Sequence, residues 1–302
     1  MFTRQRIRSA PLSAFLVFLF LLANVGAAGA SSPTATPKCN PLVKFSGKNF
    51  SQPIKIDNQF YPLVPGTQFI LDGSINAGSV PTTHRVVFTV TDLTKVINGV
   101  RTRVLWDTDT NDGVLAESEL AFQAQDNNEN VWVLGEYPEE YEAGVFAGAS
   151  NTWISGVKRA KAGVLVPGDP QVGTPPFRQG YSPKIGFFDC GQVDATGQNV
   201  NIPHGSFNNV LVVNEWAPLE PDGGIQQKYY APGVGNVQIG ALNDPEAETM
   251  VLTAVVHLNP KELAAARKQA CRLDQRGYKF SDVYRHTEPA EYQGRPCAAG
   301  ED

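Results

Sequence analysis

Residues 107–119 read DTDTNDGVLAESE: Asp107, Asp109, Asn111 and Asp112, then Gly113, then Glu117 and Glu119. Oxygen ligands spaced two apart ahead of a glycine resemble the start of a calcium loop, so these four residues are the candidate metal set. An EF-hand loop needs ligands at positions 1, 3 and 5, glycine at 6 and a bidentate glutamate at 12. Counted from Asp107, position 6 is Asp112 and position 12 is Ser118; Gly113 and Glu119 each arrive one residue late. Asp112-Gly113 is also a hairpin-turn dipeptide, and the stretch lies between two alternating runs. The expectation is a solvent-exposed hairpin tip. A calcium site of another geometry is the alternative, and calcium is the one cofactor the sequence offers.

A second chemistry is available to the same carboxylates. Glycoside hydrolysis needs two of them facing each other across a cleft. Glu117 and Glu119 fall on one face of a strand, with Cα atoms about 7 Å apart. Glu136 is a third candidate acid or base. It opens the cluster GEYPEEYEAG with Glu139, Glu140 and Glu142, where Tyr137 and Tyr141 suit stacking on sugars. Any strand with a polar face shows this spacing, so the second cluster is expected to be a solvated loop. His84, His204, His257 and His286 form no metal motif, and His257, in the apolar run VVHLNP, is expected in the core. His204 and Ser206 are near neighbours without a third group to complete a triad. No nucleophile is assigned. Trp106, Trp132, Tyr229 and Tyr230 are the ligand-binding candidates, provided that they line one cavity rather than fill the core.

These side chains need elements to position them. The chain has 302 residues, 42% of them hydrophobic and 18% charged, with a net charge of −5. It has no basic stripe for nucleic acid. Arg4, Arg6 and Arg8, an apolar run from Leu12 to Val25 and Ala28-Gly29-Ala30 form a secretory signal over residues 1–30. The run is short for a membrane span, and no later segment is apolar enough for one. A flexible leader is expected over 31–45, a β domain over 46–258, and a helix with a disulfide-tied tail over 259–302. Cys39, Cys190, Cys271 and Cys297 are an even set in an oxidising compartment. Three pairings are open; Cys39 with Cys190 and Cys271 with Cys297 are favoured because they tie down both ends.

Short alternating runs broken by Gly and Pro predict an antiparallel meander. Asn98-Gly99 marks a type I′ hairpin. The Pro-rich residues 163–186 read as a long loop or as edge segments. FNNVLVVNEW, IQQKYYAPGVGNVQIG and ETMVLTAVVHL read as strands, with a tight corner at Pro232-Gly233. NPKELAAARKQACRL predicts a helix of about thirteen residues, with Asn259 as N-cap, Pro260 at N1 and Glu262 closing a capping box. The fold class is mostly β: a β-sandwich or open barrel with one C-terminal helix.

The segments NGVRTRVLWD, AQDNNENVWVLGE, GVLVPGDPQVGTPPFRQGY and KYYAPGVG, in that order, resemble those of a family of uncharacterised exported bacterial β-rich proteins. The resemblance spans residues 55–240 and omits the helix and its cysteines. It implies the fold and export and lends no catalytic residue. DNNEN departs from it by lacking a turn glycine. The functional expectation is a secreted, non-catalytic binding or envelope-associated protein for a glycan, lipid or protein ligand. The rivals are a polysaccharide hydrolase and a calcium-stabilised adhesive domain.

Overall fold

A computed structural model of the chain describes residues 39–77 and 80–297; the signal segment and residues 31–38 lie outside the described residues. Sixteen strands form a single sheet. In chain order they are β1 Thr67–Ala77, β2 Val80–Ile97, β3 Val100–Asn111, β4 Val114–Gln125, β5 Val131–Glu142, β6 Val145–Gly148, β7 Trp153–Ile154 and β8 Lys161–Val166. There follow β9 Phe177–Ser182, β10 Phe187–Ile202, β11 Gly205–Trp216, β12 Ile225–Ala231, β13 Gly235–Leu242, β14 Thr249–His257, β15 Glu291–Tyr292 and β16 Arg295–Pro296. The sheet order is β1-β14-β13-β12-β11-β10-β9-β8-β5-β4-β3-β2, and β2 pairs back onto β1. The result is a closed antiparallel barrel of 12 strands. β6 and β7 attach to β5, and the β15–β16 hairpin hangs from β2.

The meander follows from local chemistry. Asn98-Gly99 and Asp112-Gly113 join successive strands with φ of 48° and 79°, and 48° and 77°, the left-handed pair that a type I′ turn requires. The expectation of a sandwich or open barrel holds in a more specific form, a closed ring that leaves no edge. β8 and β9 therefore lie in the wall, between β5 and β10; four of the five prolines of 163–186 fall in the loop 167–176 between them, and Pro183 follows β9. β10 is a strand that hydrophobic alternation misses. Its distal half is polar, and three register shifts interrupt its pairing with β11.

Closure puts the apolar face of β2 to β5 on the outside, and two segments cover it. The first runs from Cys39 to the start of β1. Its Phe45 and Phe50 rings pack on Trp132 at 5.5 and 5.9 Å, so the expected leader is anchored from residue 39 onward. The second is the helix α1, Pro260–Phe280. It begins with the expected capping box, Asn259 accepting from the Lys261 and Glu262 amides and Glu262 from the Asn259 amide. It runs 21 residues rather than thirteen. Ala266, Ala270, Leu273, Asp274 and Gly277 form its buried stripe.

One member of that stripe is charged. Lys95 of β2 is fully buried and donates to Asp274 Oδ1 at 2.8 Å, Tyr278 Oη at 2.8 Å and the Glu288 carbonyl at 2.6 Å. Tyr284 Oη and the Ala290 amide satisfy the rest of Asp274, and the Tyr284 ring lies 4.4 Å from the ammonium. Burial pulls Lys95 below the ordinary lysine range, with Asp274 acting against it. Disulfides Cys39–Cys190 and Cys271–Cys297 close the favoured pairs.

Lys95→Ala strands the Asp274 carboxylate in an apolar seam and is expected to lower unfolding stability by about 3–5 kcal/mol. Urea denaturation of the oxidised protein measures it. A loss under about 1 kcal/mol would show that the pair does not hold the helix to the barrel.

Candidate functional site

The inner face of β3, β4 and β5 is acidic by register. Asp107 stands opposite Glu119, and Asp109 opposite Glu117; Glu117 also faces Glu140 across the next pair. Like charges directly opposite each other destabilise a sheet, so pairing preference does not account for this arrangement. Glu136 joins them through a bulge. Phe122 pairs with Gly135 but Gln123 with Val133, so Leu134 is the extra residue. An extra residue reverses the strand's alternation, and Glu136 turns to the side of Val133.

Inside the barrel is a cavity of about 110 Å³. Its lining is apolar at Phe69, Leu71, Val86, Phe88 and Ile239 and acidic at Asp107, Glu119, Glu136 and Glu215, with Phe88 paired directly beside Asp107. Lys228 and Glu248 also reach it, and Tyr61, Pro62 and Leu63 of the N-terminal segment close one end. A neighbouring cavity of about 120 Å³ is bordered by Glu117, Asp189, Glu220 and Trp153. Glu119 and Glu136 border both.

Some of these groups are partnered. Trp153 Nε1 donates to Glu136 at 2.7 Å, and Gln179 to Glu215 at 2.8 Å. His84 lies 3.5 Å from Glu248 and 2.8 Å from Asn111. Others are not: Asp107 Oδ1, Asp109 Oδ1, Gln123 Oε1 and Asn236 Oδ1 are buried without a hydrogen bond. Asp107, Gln123 and Asn236 line the first cavity, and all three orphan atoms are oxygens.

Burial sets the protonation of the cluster. It pushes Asp107 and Glu119 well above the ordinary carboxylate range, and repulsion adds to it, from Asp109 and Glu136 on Asp107 and from Glu136 and Asp107 on Glu119. It pushes Glu136 up to about 7 despite the Trp153 hydrogen bond, and Asp109 up to about 7 despite the attraction of His84. Asp189 and Glu215 are raised by burial too. Glu248 is the exception: burial raises it, but the His84 hydrogen bond and Lys228 outweigh that and hold it below the usual range. His84 is lowered by burial and raised, on balance, by Glu248 and Asp109.

The structure thus gathers Asp107, Asp109, Glu117, Glu119 and Glu136, and it corrects how they were read. The hairpin exists, but only its turn is exposed: Asp107 is 7% and Asp109 2% accessible. GEYPEEYEAG is not a solvated loop; most of it is β5. Glu139 is fully buried on the outer side, accepting from Tyr137, Tyr141 and Arg276. His257 is exposed rather than in the core. The four calcium candidates do not converge, since Asn111 binds His84 and Asp112 binds the Thr83 amide and hydroxyl. Among the described residues no three His, Cys, Asp or Glu side chains are grouped to hold a metal ion.

Of the aromatic candidates, Tyr230 alone lines the cavity. Trp132 donates to Asp126 under the N-terminal segment, Trp106 to Ser118, and Tyr229 to Gln227. Sequence reasoning missed Glu215, Lys228, Gln123 and His84 as lumen residues. Gln123 continues the polar face of Glu117 and Glu119, and that alternation was the available signal.

No family model and no curated protein matches the chain. Two solved structures are similar over 66% of it and 99% of their own length. One, from Bacteroides fragilis, is named as an exported protein with a YmcC-like fold, at 18% identity and a TM-score of 0.35. The other, from Parabacteroides distasonis, is named as a lipoprotein, at 13% identity and a TM-score of 0.32. Scores this low carry neither the barrel nor a function from those proteins to this chain. Among the described residues no helix is long and apolar enough to cross a membrane. Both cysteine pairs are bonded, the chemistry of an extracytoplasmic, oxidising compartment.

A carboxyl with a raised pKa in the folded chain holds its proton longer than in the unfolded one. Its stabilising contribution is full below the unfolded value, near 4, and is lost as the pH rises through about 7 for Asp109 and Glu136. His84, also raised, acts in the same direction. The melting temperature is therefore expected to fall between pH 5 and pH 8, and Asp107→Asn to make the fall shallower. A melting temperature that rises across this window would contradict the assignment.

Proposed function

We propose that the chain is an exported, non-catalytic binding protein whose barrel lumen takes a small molecule with an apolar body and a polar part. The observation that carries this is a lumen whose apolar lining adjoins an acidic one, with buried oxygens that lack partners. A polar atom left unsatisfied costs about 1–3 kcal/mol. Twelve strands also enclose more room than side chains fill in an eight-stranded barrel. Polar residues that weaken the free fold in this way are characteristic of functional sites.

The hydrolase reading has less support. Its paired glutamates need one neutral acid and one ionised partner on an open cleft. Glu119 and Glu136 are both driven toward the neutral form, and both lie inside a closed wall.

N-phenyl-1-naphthylamine, an apolar fluorophore, is expected to bind saturably at one site per chain. Ala121→Phe, which fills the lumen from β4, is expected to reduce that binding at least tenfold while the circular dichroism spectrum stays that of the parent. Undiminished uptake by a folded Ala121→Phe variant, or no uptake by the parent, would rule out the lumen as a binding site. Turnover of a glycan panel by the parent, lost in Glu136→Gln, would establish the hydrolase instead.

A further inference from the structure

We infer that the lumen's ligand is a linear aliphatic polyamine, its ammonium groups set against the carboxylates of β3 to β5 and its methylenes against the apolar wall. This inference rests on the lumen being the binding site.

Three observations point the same way. The first is the sign of the orphan atoms. Asp107 Oδ1, Gln123 Oε1 and Asn236 Oδ1 are all acceptors, and Asp107 and Gln123 are 7% and 5% accessible. A ligand that satisfies them must donate hydrogen bonds. A carboxylate satisfied by a cation is among the stronger pairs available, since a charge-assisted bond is roughly twice as strong as a neutral one.

The second is spacing. Asp107 is paired in register with Glu119, and Gln123 lies four residues further along the same inner face, with Arg103 opposite it. At about 3.4 Å per residue that is roughly 13 Å along the strand, so no single ammonium reaches both levels. Donors at intervals along a chain do. Glu119 and Glu136 border both cavities, so the acidic wall continues from one chamber to the next, where Glu117, Asp189 and Glu220 lie.

The third is charge balance. The first cavity holds Asp107, Glu119, Glu136, Glu215 and Glu248 against Lys228, and His84 is committed to Glu248. Burial among like charges raises Asp107 and Glu119 above the ordinary carboxylate range, and a polycation set among them would favour their ionised, accepting form. The adjoining lining supplies Phe69, Leu71, Val86, Phe88 and Ile239 for the hydrocarbon segments. A metal ion does not fit as well, because the carboxylates are strung along the lumen rather than grouped around a point.

The test is calorimetric titration of the oxidised mature protein with spermidine, putrescine, hexylamine, hexanol and hexanoate, each also used to compete with N-phenyl-1-naphthylamine. Affinity is expected to rise with charge, spermidine binding at least about tenfold tighter than hexylamine, and Asp107→Asn is expected to weaken spermidine about tenfold while hexanol is unaffected. The substitution keeps the side chain's shape and removes a buried carboxyl, so the variant's melting curve verifies its fold independently. Hexanol binding as tightly as spermidine would overturn the inference, as would hexanoate binding best, which would make Lys228 the anchor. Calcium chloride protecting as well as spermidine against thermal unfolding would reduce the effect to charge screening and overturn it too. Uptake of the fluorophore without any amine binding would leave the lumen site standing and remove the polyamine. Absence of both would remove the two together.

Discussion

The pairing of β1 with β14, from Thr67 opposite His257 to Ser74 opposite Thr249, is the interaction on which the remaining architecture depends. It joins the two ends of the meander and turns a sheet with edges into a ring without them. Closure also assigns inside and outside. With β1 paired to both β2 and β14, Glu117, Glu119, Ala121 and Gln123 face a lumen, and Leu120 and Phe122 face out. An open sheet of the same sequence would bury the apolar set and leave the carboxylates in water.

Turning the apolar face outward creates a second requirement, that something cover it. The segment leading into β1 covers Trp132, and Tyr284, in the turn that follows α1, covers Phe122. Both are tied down twice. Cys39–Cys190 and the Asn58 side chain, bonded to the Glu129 and Pro167 carbonyls, hold the first; Cys271–Cys297 and Lys95–Asp274 hold the second. A disulfide closing such loops contributes on the order of 2–4 kcal/mol. The buried ion pair contributes little net attraction, but it fixes position, because neither charge tolerates displacement from the other in an apolar seam.

The lumen is where the fold departs from what favours its own stability. Asp107 opposite Glu119 and Asp109 opposite Glu117 are pairs that a sheet selected for stability alone would avoid. The bulge at Leu134 goes further and turns Glu136 toward them. Burial raises these carboxyls and so favours their neutral form, which lessens the repulsion, and His84 lessens it at Glu248. Local disagreement of this kind, inside an otherwise consistent fold, is the ordinary mark of a site.

Much of the fold was legible in the residues taken in order. Asn98-Gly99 and Asp112-Gly113 specify their turns because they accept positive φ; the Asn259 to Glu262 box starts the helix because its side chains satisfy amides that the first turn leaves free. Two-residue alternation marked β4, and cysteine count and compartment favoured the two disulfides. These are local or pairwise matters, settled within a few residues. The site was half legible: its carboxylates were singled out, but as solvated groups, and Glu136 was placed in a loop. Alternation reports that two faces differ, not which of them meets water. The closing of β14 on β1 and the cover laid by α1, both contacts between residues far apart in the chain, decide that together with a one-residue bulge at Leu134.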